Sequence, residues 1–67
     1  MAQDILSDRD VIIEFFPVGA LVKVSAMDTK TLTEVSVSGP AAAGEAALKR
    51  NALMRLEYVM KKKGLIS

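Results

Sequence analysis

Apolar and polar positions alternate along this chain in three short runs and then switch to a helical period. Val11–Phe16 is rich in β-branched and aromatic residues, and Ala20–Met27 and Leu32–Ser38 each alternate. Pro17-Val18-Gly19 and Asp28-Thr29-Lys30-Thr31 supply turn chemistry between them, so the pattern predicts a three-stranded antiparallel meander. Pairing Phe16 with Leu21 and Met27 with Leu32 puts Val11, Ile13, Phe15, Val22, Val24, Ala26, Val35 and Val37 on one face. The other face then carries Glu14, Lys23, Ser25, Glu34 and Ser36, with Glu14 directly across from Lys23. Ile12, Phe16, Leu21, Met27 and Leu32 also fall on that outer face, more apolar surface than a small solvated sheet needs.

After Gly39-Pro40 the period changes to that of a helix, predicted from about Ala43 to Lys63 and about 31 Å long. At 100° per residue, Leu48, Ala52, Leu53, Leu56, Val59 and Met60 form one broad apolar stripe suited to covering the sheet. Ala47, Met54 and Tyr58 form a second stripe, separated from the first by Arg50, Glu57 and Lys61 on one side and Asn51, Arg55 and Lys62 on the other. A seven-residue strand spans only about 23 Å, so the helix is expected to overhang its sheet. Glu45 near the start and Lys61-Lys62-Lys63 near the end complement the helix dipole, and Gly64 is placed to follow the C-cap.

The fold class expected is therefore α+β: a three-stranded meander followed by one long C-terminal helix packed on it. Residues 1–9 form a loose N-terminal segment in this reading, and residues 10–64 a single β-β-β-α domain. A 67-residue chain buries only about 60% of the surface its unfolded form exposes, and Cys and His are both absent, which removes disulfides and the usual zinc ligands. Oligomerisation is the remaining remedy. Ala47, Met54 and Tyr58 are the expected dimer interface, and Gly39–Gly44 is a small-residue hinge across which the helix could be exchanged between protomers.

Charge adds an asymmetry that the net value of +1 conceals. Residues 1–44 hold three basic against six acidic residues, net −3, and residues 45–67 hold six against two, net +4. Lys49, Arg50, Arg55, Lys61, Lys62 and Lys63 could follow phosphates, so a nucleic-acid- or ribosome-associated binder is the alternative expectation. Against it, no aromatic interleaves the cations and the strands lack the stacking pairs of an RNA-binding sheet.

Candidate chemistry is sparse. Gly39-Pro40-Ala41-Ala42-Ala43-Gly44 matches the first six positions of a phosphate-binding loop, but Glu45 and Ala46 follow where Lys and Ser or Thr are needed. Ser25, Ser36 and Ser38 have no histidine to activate them, Glu14 and Glu34 flank Lys23 as charge balance, and Lys23 would act as a nucleophile only if desolvated. No enzyme activity, metal or cofactor is expected. The N-terminal stretch, with Asp4, Asp8, Arg9 and Asp10, lacks the pattern of a signal peptide, and no apolar run reaches membrane-spanning length. The expectation is a cytoplasmic protein with no membrane partner.

The succession Glu14-Phe15-Phe16, Val22-Lys23-Val24-Ser25-Ala26, Thr33-Glu34-Val35-Ser36-Val37, Gly39-Pro40, Leu48-Lys49-Arg50 and Leu56-Glu57-Tyr58-Val59 resembles a family of small bacterial proteins, 60–70 residues long, of unknown function. The resemblance covers Val11 to Lys63 and implies a compact strand–strand–strand–helix unit. It transfers no active site.

Overall fold

The computed structural model describes residues 10–66; the segment 1–9, expected to be loose, lies outside the described residues. Three strands, β1 (Val11–Val18), β2 (Leu21–Asp28) and β3 (Glu34–Pro40), form an antiparallel sheet in the order β1-β2-β3. A 3₁₀ turn (Ala41–Ala43) then leads into one helix, α1 (Glu45–Lys62), which packs on β3 and β2. The meander-plus-helix architecture expected from the apolar pattern is the one observed.

Both hairpin registers differ from the expected ones by two residues. Val18 pairs with Leu21, so Glu14 lies across from Ser25 and Phe16 across from Lys23. Met27 pairs with Glu34, so Val24 faces Val37 and Ala26 faces Val35. Because side chains alternate with period two, an even shift leaves every residue on its predicted face. The expected Glu14–Lys23 pair is a correction. Lys23 instead sets its Nζ 5.9 Å from the centre of the Phe16 ring.

The reasons for the shifts are local. Pro17 stays inside β1, and the turn shortens to Gly19-Ala20, with Gly19 at φ +62° in the first central position, as a II′ hairpin requires. Proline is tolerated there because β1 is an edge strand. The Thr29 N–H donates to the Asp10 carbonyl at 3.1 Å, so even-numbered residues of β1 bond to β2 and odd-numbered ones turn outward. At the second turn, Asp28 Oδ2 accepts from the Thr31 N–H at 2.9 Å and the Thr31 hydroxyl at 2.8 Å. Leu32 closes that turn at φ +60° and donates its N–H to the Asp28 carbonyl at 2.8 Å. Leu32 thus belongs to the loop and not to β3.

The core lies between one sheet face and one helix stripe. Val22, Val24 and Ala26 of the central strand meet Leu48, Ala52, Leu56 and Met60, all buried and spaced i, i+4 along α1. Val11, Ile13, Phe15, Val35, Val37, Leu53 and Ile66 pack around them, partly buried. Val59, expected in the core, is only half-buried, and Met60 occupies the position at the sheet. Gly39 makes the close approach possible, since a Cβ there would stand 2.5 Å from Leu48 Cδ2.

Gly44, at φ +90°, precedes the first helical residue, Glu45. At the other end the Gly64 N–H donates to the Lys61 carbonyl and the Leu65 N–H to the Met60 carbonyl, with Gly64 at φ +76°. These paired bonds are a Schellman motif on the glycine expected to form it. The 18-residue helix is about 27 Å long, against about 26 Å for the eight-residue strands and about 23 Å for β3, so the expected excess of length shrinks to a few ångströms. The helix starts two residues later than expected, after the 3₁₀ turn, while β1 gains two residues and β2 and β3 keep their expected lengths.

Candidate interaction surfaces

The helix stripe of Ala47, Met54 and Tyr58 lies on the back of α1, away from the sheet. Met54 is 59% exposed, Tyr58 is 54% exposed, and Ala47 is half-buried. Tyr58 is flanked by two cations: Arg55 Cζ and Lys62 Nζ each stand 5.7 Å from the ring centre. Lys62 Nζ also reaches the Tyr58 hydroxyl at 3.5 Å. The three residues share a face as the periodicity requires, and that face is strongly basic at its C-terminal end.

The six cations Lys49, Arg50, Arg55, Lys61, Lys62 and Lys63 are all exposed. Lys61 pairs with Glu57 at 3.3 Å across one helical turn, a weak surface interaction in the favourable order. Arg55 and Lys62 sit over Tyr58, so half of the set already has a partner within α1. They lie around a convex helix and not along a groove that could follow a phosphate backbone.

The sheet face opposite α1 has no layer over it among the described residues. Its rows run Val18–Leu21–Pro40, Phe16–Lys23–Ser38, Glu14–Ser25–Ser36 and Ile12–Met27–Glu34 from one end to the other. Ile12, Phe16, Val18 and Leu21 are 47%, 45%, 70% and 54% exposed, which makes this face more apolar than the helix back. An open depression of about 330 Å³ lies over it, lined by Glu14, Phe16, Lys23, Ser25, Glu34, Val35 and Ser36. Two carboxylates, one ammonium and two hydroxyls can make polar contacts there, but they include no base beside a nucleophile.

Segment 39–44, the incomplete phosphate-loop match, ends β3 and forms the 3₁₀ turn, with the Ala41 N–H donating to the Ala20 carbonyl at 2.8 Å. Among the described residues, no cluster of three or more metal-ligating side chains occurs, and no helix is long and apolar enough to cross a membrane.

Two features were not anticipated. One is the network Asp28–Thr31–Thr33, in which the Thr31 and Thr33 hydroxyls are 2.8 Å apart beside the buried Asp28 carboxylate. Its signal was an Asp opening a run of threonines, a combination that closes turns through the side chain. The other is the free edge of β1, signalled by Val11–Val18 being apolar on both faces and carrying the single charge Glu14.

No match to a curated protein or to a solved structure was found. Residues 8–63 match the model of a family described as a domain of unknown function, DUF6898. The chain belongs to that family.

Proposed function

We propose that this member of the family is a small homodimeric structural or protein-interaction module of the bacterial cytoplasm, without catalytic activity. The observation that carries the reading is the large apolar surface left on both layers: Ile12, Phe16, Val18 and Leu21 on the bare sheet face, Met54 and Tyr58 on the helix back. A 67-residue domain is marginal alone, and covering such surface is the available way to stabilise it. Two seams are open for self-association: the helix-back stripe Ala47, Met54 and Tyr58, and the free edge of β1. The surface that the dimer leaves uncovered serves a protein partner. Exchange of α1 would preserve its contacts with the sheet, and mixed-label dimers distinguish exchanged from unexchanged helices by whether those contacts run between chains.

Light scattering of the eluting protein at low and high salt tests this reading. An apolar seam predicts a dimer at both, with no retention on RNA or DNA. A monomer, or submicromolar retention on nucleic acid at about 150 mM salt, would contradict it and favour the basic helix as a nucleic-acid surface.

A further inference from the structure

We infer that the free edge of β1 is the dimer seam, and that two copies join there into one continuous six-stranded sheet. This rests on the homodimer reading and assigns its surface. Three exposures coincide on β1. The main-chain groups of Val11, Ile13 and Phe15 point outward from the sheet, as the Asp10–Thr29 bond fixes, and no described residue pairs with them. Their side chains are only partly buried, because α1 lies over β3 and β2 and leaves β1 at the margin. Ile12 and Phe16 are exposed on the opposite face of the same strand. One seam covers all three.

Charge selects this edge over the helix back. Two copies of α1 packed back to back about a two-fold axis would gather Arg50, Arg55, Lys61 and Lys62 of both copies along the margins of one seam, with only the two Glu57 carboxylates to offset them. β1 carries only Glu14, and the other edge, β3, presents Glu34, Ser36 and Ser38. An antiparallel strand pair is self-complementary, which an isologous interface requires.

The register follows from the same residues. Opposed residues must share a sheet face, so an odd residue meets an odd one. A pair centred on Glu14 would set two carboxylates directly opposite each other. One centred on Phe15 would set Ile13 against Pro17, which has no N–H to give. Centring on Ile13 pairs Val11 with Phe15 of the second copy, places Ile12 against Glu14, and leaves Pro17 just outside as a stop. Five residues of strand cover about 17 Å. The seam is therefore on the order of 300–400 Å² per partner, about half of a standard interface, which is the size of a weak dimer that forms with rising concentration.

The test uses the full chain and the substitution Ile12→Glu, on the solvent face of β1. It opposes a carboxylate to Glu14 of the second copy twice per dimer and is expected to weaken dimerisation about tenfold or more. Adding Glu14→Lys should restore it, whereas Met54→Lys with Tyr58→Lys should leave the dimer intact. In the unsubstituted protein, the amides of Ile13 and Phe15 should gain hydrogen-exchange protection as concentration rises, while Ile12 and Glu14 are protected throughout. A wild-type monomer would overturn the homodimer reading and this seam together. A dimer that Ile12→Glu leaves intact, or whose Ile13 and Phe15 amides exchange equally fast at all concentrations, would overturn the seam alone. If Ile12→Glu prevents folding, the exchange pattern of the unsubstituted protein decides.

Discussion

Two residues hold backbone positions that their neighbours dictate, and both can be tested by substitution. Leu32 takes a left-handed conformation that costs an L-residue about 1–2 kcal/mol, and its side chain is 70% exposed, so little packing offsets the cost. Leu32→Gly should stabilise the protein by about 0.5–1 kcal/mol, seen as a melting temperature higher by several degrees; Leu32→Val should lower it. At Gly39 the constraint is space. Gly39→Ala should cost about 1–3 kcal/mol in denaturant titration, because the new methyl displaces the buried Leu48. In a double-mutant cycle with Leu48→Ala most of that cost should vanish, since the obstructing Cδ2 is gone. Neither constraint was legible beforehand. A left-handed leucine contradicts its own propensity, and the Gly39–Leu48 contact joins two elements whose spacing no local pattern contains.

At the scale of elements, the faces were legible and the ends were not. Val22, Val24 and Ala26 alternate, and Leu48, Ala52 and Leu56 recur at helical spacing, so periodicity alone placed them inside. Register was missed at both hairpins because turn residues compete: Pro17 reads as a turn former until β1 is seen to be an edge, and Asp28 ends β2 with its side chain. The assignment of faces survived because both slips were even. The core predicts a graded response. Leu56→Ala, at a fully buried position, should cost about 2–5 kcal/mol and unfold much of the population. Phe15→Ala should cost clearly less than its size suggests, because β1 lies at the helix margin and Phe15 is only partly covered. Equal losses in chemical denaturation would mean that β1 is better covered than this arrangement allows.

At the scale of the whole molecule, one helix among the described residues covers one face of a three-stranded sheet, and no other described element covers the remaining apolar surface. The second helix stripe was legible from periodicity, and the structure puts Met54 and Tyr58 on the back of α1 as expected. The free strand edge was signalled only by the apolar run Val11–Val18 with its single charge, since how far that edge is covered depends on where the helix settles across the sheet. The length excess expected of the helix shrank to a few ångströms through small boundary shifts, so the case for self-association rests on exposed surface and not on unequal lengths. Sedimentation of the wild-type chain over a dilution series tests that case most directly. The account predicts a weight-average mass that climbs from that of the 7.2 kDa protomer toward twice that value as concentration rises. A mass that stays at 7.2 kDa to the highest concentration reached would contradict it.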